Sequence, residues 1–183
     1  MKKLKIYKIV AVIVAFILVA WVVRVIYLAK KYPAAQIEEV NVGEELIYND
    51  IGYKISKIDM LSSDDINSLI EEYNLDENTL EEKGILIDVE ISNYSDEIFK
   101  VSPENYMLAC NIFGGAMSPY DYYSLNDDFA NASFRIEPGV TTSVKMLFRY
   151  DKRLLGDKFD TFENMDWSLV LSYYPVKYKL SLI

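Results

Sequence analysis

Ile85-Leu86-Ile87-Asp88-Val89-Glu90-Ile91-Ser92 places Ile85, Ile87, Val89 and Ile91 on one side of an extended chain. Asp88, Glu90 and Ser92 fall on the other side, and Leu86 is the one exception. A period of two with a single apolar side marks a strand with one buried face. The same alternation recurs downstream. Val144, Met146, Phe148 and Tyr150 alternate with Ser143, Lys145, Leu147 and Arg149. Trp167, Leu169, Leu171 and Tyr173 alternate with Ser168, Val170, Ser172 and Tyr174, and beyond Pro175 so do Tyr178, Leu180 and Leu182 with Lys177, Lys179 and Ser181. Upstream, residues 46–48 and 53–58 flank Asn49-Asp50-Ile51-Gly52, which predicts a hairpin. Residues 106–113 are apolar on both faces and predict one central strand. The sum is about seven strands, enough for a mainly β sandwich.

A helix near 63–73 interrupts the strands. Ser62-Ser63-Asp64-Asp65 opens it as a cap, and Ile66, Leu69, Ile70 and Tyr73 recur at helical spacing. Residues 153–162 predict a second helical turn, with Leu154, Leu155, Phe159 and Phe162 on its apolar side.

The N-terminal segment is of a different kind. Lys2, Lys3, Lys5 and Lys8 precede 21 residues, 9–29, whose only charge is Arg24. A helix of that length spans about 31 Å, close to the hydrocarbon thickness of a bilayer. Arg24 lies near the distal end, where it can snorkel. Trp21, Tyr27 and Tyr32 suit the outer interface, Tyr7 suits the inner one, and Pro33 ends the helix. A cleaved signal peptide has a shorter apolar run of about 7–15 residues and a small-residue exit. Here Trp21, Arg24 and Lys30 disturb that exit. The expected organisation is therefore a membrane anchor over 1–31, a tether over 32–43 and a domain over 44–183, with the N-terminus cytoplasmic and the domain extracellular.

Composition narrows the function. Among 183 residues, 51% are hydrophobic and 26% charged, so the chain is not disordered. Seven of the 19 basic residues lie in 1–31, with no acidic residue; 12 basic and 28 acidic residues remain, so 32–183 carry −16 against −9 for the whole chain. That balance argues against nucleic acid as a partner. With no histidine and one cysteine, histidine-based nucleophile systems, histidine zinc sites, multi-cysteine metal sites and an intrachain disulfide are excluded. Nothing in the sequence indicates a cofactor. Cys110 shares the parity of Tyr106, Leu108 and Ile112 and reads as a core thiol.

Two segments carry a resemblance. Lys83 to Glu97, ending Asn93-Tyr94-Ser95-Asp96-Glu97, resembles the strand-then-turn stretch of bacterial extracytoplasmic immunoglobulin-like (telokin-like) domains. Ile136-Glu137-Pro138-Gly139-Val140-Thr141-Thr142 is similar to their later Pro-Gly turn, and residues 169–177 to the closing strands of a membrane-anchored subgroup from Gram-positive bacteria. The resemblance covers about residues 43–183. It implies an immunoglobulin-like sandwich and supplies no catalytic residues. Read by themselves, Asn93 and Asp96 favour a turn after the strand, and Pro138-Gly139 reverses the chain.

Two segments stand out as candidate surfaces. The acidic run Glu71-Glu72, Asp76-Glu77 and Glu81-Glu82 reads as a solvated face, a weak cation site or an electrostatic docking surface for a basic peptide, and its spacing fits no EF-hand. Residues 114–129 read as a long loop, in which Tyr120, Asp121, Tyr122, Tyr123, Asp127 and Asp128 form the candidate interaction surface. The functional expectation is a non-catalytic binding or accessory protein, held in the membrane by its N-terminal helix. Its partner is expected to be a protein, a peptide or an envelope component. The alternatives are a carboxylate-based envelope hydrolase and a scaffold acting through the span, where Ala11 and Ala15 are spaced for helix packing.

Overall fold

The computed structural model describes residues 2–102, 105–111, 113–126 and 134–182. Two compact units divide the chain, Met1–Gln36 and Ile37–Ile183. The first is the helix α1, Lys2–Lys31. Its segment Val12–Lys31 contains an 18-residue stretch with a mean hydropathy of 2.7 and is long and apolar enough to cross a membrane. At its C-terminal end the Lys31 ammonium lies 5.9 Å from the Tyr27 ring centre and 5.4 Å from that of Tyr32.

The second unit is mainly β. In chain order its elements are β1 (Gln36–Val40), β2 (Glu45–Tyr48), β3 (Ile51–Leu61), α2 (Ser63–Tyr73), β4 (Glu82–Asn93), β5 (Phe99–Val101), β6 (Met107–Cys110) and β7 (Phe113–Ala116). There follow α3 (Pro119–Leu125), β8 (Phe134–Ile136), β9 (Thr141–Asp151), α4 (Lys152–Leu155), a 3-10 helix (Gly156–Asn164), β10 (Ser168–Ser172) and β11 (Val176–Ser181). One sheet runs β1-β11-β10-β6-β7, a second β2-β3-β4-β9, and β5 pairs with β8. The two larger sheets stack as a β-sandwich. Ile85, Ile87, Val89 and Ile91 of β4 are fully buried in its core against Leu108, Leu169 and Leu180 of the opposite sheet. Trp167 anchors one end of this core. Its ring centre lies 4.7 Å from Tyr150 and 5.1 Å from Phe162, and its indole N–H donates to the Phe162 carbonyl at 3.1 Å.

The exception at Leu86 has a structural cause. Leu86 pairs in register with Leu147 of β9, and both point away from the core. Helix α2 covers them with Ile66, and Leu75 and Leu125 complete a second apolar cluster. The helix begins with a reciprocal cap: the Ser62 hydroxyl accepts from the Asp65 N–H, and the Asp65 carboxylate accepts from the Ser62 N–H. Ile66 comes so close to β4 that a Cβ on Gly84 would lie 2.8 Å from its Cδ1.

Elsewhere the structure corrects the sequence reading. The reversal between β2 and β3 needs only Asn49 and Asp50, both at positive φ, so Ile51 and Gly52 already belong to β3. Residues 106–113 do not form one strand. The chain turns at Asn111, at φ 49°, and pairs β6 with β7 as a hairpin. Residues 36–40, in the stretch read as a tether, add β1 to the edge of the larger sheet. The described strands thus exceed the seven expected because short edge strands lack the alternation that marks long ones.

Asn93 closes β4. It is fully buried, and its amide nitrogen donates to the carbonyls of Glu97 at 2.7 Å and Ile136 at 2.8 Å. Its side-chain oxygen accepts from the Ser95 N–H at 3.0 Å and hydroxyl at 2.7 Å. Its backbone N–H donates to the Val140 carbonyl, and its carbonyl accepts from the Gly139 N–H. The turn after β4 and the Pro138-Gly139 turn, which carry the family resemblance, are thereby one hydrogen-bonded assembly.

Replacing Ile66 by Ala should cost about 2–5 kcal/mol, the range for truncating a buried aliphatic side chain. Ile47→Ala, at a position 54% exposed, should change stability by less than about 0.5 kcal/mol. Urea titration of both variants, followed by tryptophan fluorescence, checks the assignment of α2 as a core-covering element.

Candidate functional site

The two segments singled out in the sequence come together at one place. Over the described residues 114–126 the chain is not a long loop: β7 continues to Ala116, and α3 begins at once under a Ser118 cap whose hydroxyl accepts from the Asp121 N–H. Tyr122 is fully buried, and burial raises its phenol above the ordinary range. Asp121 is 1% exposed, and Tyr123 packs against the core. Only Tyr120 stands out to solvent, and its hydroxyl donates to the Asn74 carbonyl just after α2 at 3.2 Å. Asp127 and Asp128 lie outside the described residues. The surface expected from Tyr120 to Tyr123 is therefore mostly interior. An apolar stripe on a seven-residue helix is too short to be distinguished in sequence from a tyrosine-rich loop.

Beside α3 a cleft of about 350 Å³ is lined by Asp76, Glu77, Glu82, Ser118, Asp121 and Arg149, among others. It joins the acidic run to the start of α3. Glu71, Glu72 and Glu81 are exposed on the surrounding surface, but Glu82 is buried. At the floor Arg149 bridges two acids. Its Nε donates to Glu82 Oε2 at 2.8 Å, its Nη2 bonds the same oxygen, and its Nη1 lies 3.2 Å from Asp121 Oδ2. The side chains of Arg149, Glu82 and Asp121 are 10%, 10% and 2% exposed. Burial pushes the Asp121 carboxyl up against the opposing pull of Arg149. The Arg149 guanidinium is held above its ordinary range, because Glu82 and Asp121 outweigh the cost of its burial. Chemically this is a buried ion triad that ties β4, β9 and α3 together. Among the described residues no group of three acidic or thiol side chains is arranged to hold a metal ion.

α3 is fixed to β9 by a second device. The Asn126 amide donates to the Lys145 carbonyl and accepts from the Lys145 N–H, both at 2.9 Å. A side chain thus takes the place of a neighbouring strand on this edge. Cys110 is buried as the parity implied, and burial raises its thiol above the ordinary range.

A second cleft, of about 410 Å³, opens where the β2–β3 turn, β5 and β6 meet. Tyr48, Tyr53, Phe99, Lys100, Asn105 and Tyr106 are among its lining residues. Tyr48 of one sheet stacks at 4.8 Å on Tyr178 of the other, and the hydroxyls of Tyr53 and Tyr106 are 3.4 Å apart. The sequence reading missed both this cleft and Arg149. The tyrosines occupy strand positions that read as core, and Arg149 sits on the polar side of an alternating strand.

No family model matches the chain, and no curated protein matches it. Solved structures do. A protein from Bacillus subtilis, YcdA, described as a "putative lipoprotein", has a TM-score of 0.50 at 11% identity over 75% of this chain and 38% of that one. A conserved hypothetical protein from Bacillus anthracis has a TM-score of 0.49 at 12% identity, over 76% of this chain and 93% of that one. An uncharacterized β-sandwich protein from Clostridium difficile has a TM-score of 0.45 at 13% identity, over 81% and 96%. Similarity at this level of identity concerns the fold.

Arg149→Met should destabilise the domain by about 3–5 kcal/mol near neutral pH, because Glu82 and Asp121 would be left buried without their cation. Burial already pushes the Asp121 carboxyl up, and without the opposing pull of Arg149 it would rise further above its unfolded value, so the folded variant would bind an extra proton. The deficit should accordingly shrink as the pH falls toward about 4. Denaturation midpoints of wild type and variant across this pH range check the structural role of the triad.

Proposed function

We propose that this chain is a single-pass membrane protein of a Gram-positive envelope, presenting a non-catalytic immunoglobulin-like binding domain outside the cell. The observation that carries the reading is the union of α1, a helix long and apolar enough to span a bilayer, with an acidic β-sandwich that has an open, tyrosine-lined cleft. The basic residues that precede the apolar run favour a cytoplasmic N-terminus. The strand order supports the immunoglobulin-like class. The strands β11-β10-β6-β7 follow the arrangement G-F-C-C′, and β3-β4-β9 follows A-B-E. In that scheme the cleft lies at the end where the B–C and F–G connections cluster, the end that antibody variable domains use for recognition.

The state of the buried carboxylates supports a binding role over hydrolysis. A glycosidase keeps one carboxyl as an acid and the other as a base or nucleophile, about 5–9.5 Å apart. Glu82 and Asp121 instead share one guanidinium as a structural pair. The partner is a protein, a peptide or an envelope component rather than nucleic acid, in keeping with the net charge of −16 over residues 32–183.

Thiol labelling in intact cells tests the anchor and its orientation. In a Cys110→Ala background, Glu137→Cys on an exposed turn should react with a membrane-impermeant maleimide, and Lys3→Cys should react only after lysis. Reaction at position 137 only after lysis, or a mature chain lacking the mass of α1, would contradict the proposal.

A further inference from the structure

The two larger sheets end in four edge strands, β1, β7, β2 and β9. Three of them carry charge: Glu38 and Glu39 on β1, Glu45 on β2, and Lys145, Arg149 and Asp151 on β9. The β9 edge is also covered at Lys145 by the Asn126 amide. Charged side chains and covering groups keep an edge strand from pairing with another chain. β7, Phe113-Gly114-Gly115-Ala116, has no charged residue, and among the described residues no strand lies beyond it. In its hairpin Cys110 pairs with Phe113 and Leu108 with Gly115. A two-residue turn closes on a hydrogen-bonded pair, so in this register Gly114 and Ala116 direct their N–H and C=O groups away from β6. Both residues are exposed. On its inner side β7 lies against β9, where a Cβ on Gly115 would come within 3.0 Å of the Tyr150 ring. A supported strand with an open row of donors and acceptors is a template for strand addition.

This edge runs into the acidic cleft, which Ala116 lines together with Asp76, Glu77, Glu82, Asp121 and Arg149. Glu82 and Asp121 are taken up by Arg149. Asp76 and Glu77 are exposed, and no described cation forms an ion pair with either. Lys83, the next cation along the chain, is drawn to Glu163 at 2.7 Å. The open charge beside the free edge is therefore negative, and this decides between occupants. A second copy of the chain would bring its own Asp76 and Glu77, and a domain of net charge −16, to the same place. A cationic segment complements the charge instead.

We propose that β7 takes up an extended segment of a basic partner as an added strand, with a lysine or arginine side chain of that segment at Asp76 and Glu77. The inference rests on the binding-domain reading above and names its partner class and the surface that receives it. The backbone row of β7 supplies affinity for any extended chain, and the acidic cleft at its end selects a basic one.

Calorimetric titration of the full chain in phosphatidylcholine nanodiscs tests it, with a capped hexapeptide of alternating lysine and valine as the probe. A glutamate–valine hexapeptide keeps the strand and reverses the charge, and a lysine–proline hexapeptide keeps the charge and disfavours the strand. The lysine–valine peptide should bind more tightly than either comparison, and more weakly as salt is raised. Asp76→Asn with Glu77→Gln should weaken it about threefold, the scale of exposed ion pairs. Ala116→Pro removes one outward N–H, which an edge strand tolerates, and should weaken it about tenfold with the urea midpoint nearly unchanged. In the wild type, exchange of the Gly114 and Ala116 amides should slow when the peptide is added, a readout that needs no variant. Absence of binding, equal binding of either comparison, or unchanged exchange at 114 and 116 under saturating peptide would overturn the inference. Position 137 would still label from outside in that case, so failure of the partner class is distinguishable from failure of the anchored-domain reading.

Discussion

The amide of Asn93 is the point on which the open end of the sandwich depends. A fully buried amide costs stability unless its donors and acceptor are satisfied. Here the donors go to Glu97 and Ile136 and the acceptor goes to Ser95. The backbone of the same residue holds Gly139 and Val140. One residue thus sets the exit of β4 and the end of β8 through its side chain and the entry to β9 through its backbone. Ile136 pairs with Phe99 across the β5–β8 ladder, so the same bonds fix the small sheet that lends Phe99 and Lys100 to the tyrosine-lined cleft. The cleft is a consequence of how β4 ends.

The other end of β4 is built differently. Glu82 lies at its start, where Arg149 of β9 and Asp121 of α3 complete the buried triad. Ions replace neutral amides, and helices α2 and α3 cover the outer face of the sheet. Desolvated charges of this kind contribute little net stability but penalise any arrangement that separates them. One end of the domain is therefore closed by charge pairing and helices, and the other is left with aromatic rings and amides facing a cleft.

The sequence revealed most where burial falls on one face of a long strand. β4 and β9 were legible from alternation alone, and α2 from its cap and helical spacing. Leu86 broke the pattern because α2 buries the second face of the sheet at that point. Residues 106–113 concealed their hairpin because its sharp reversal at Asn111 lacks the usual glycine. α3 was hidden among tyrosines whose burial depends on β9, far away in sequence. The site was less legible than the fold. Tyr120 alone of its described tyrosines stands exposed, and Arg149 and the free edge of β7 are set by strand pairing, which the local pattern does not encode.

Hydrogen exchange of the full chain, wild type against Asn93→Asp, tests the central role of Asn93 most directly. The substitution keeps the shape and sets an oxygen against the carbonyls of Glu97 and Ile136, where an N–H now donates. Protection should fall across 94–101 and 134–140, while β3, the first turns of β4 and the helices at the far end keep theirs. Unchanged protection, or an equal loss in every strand, would contradict the account.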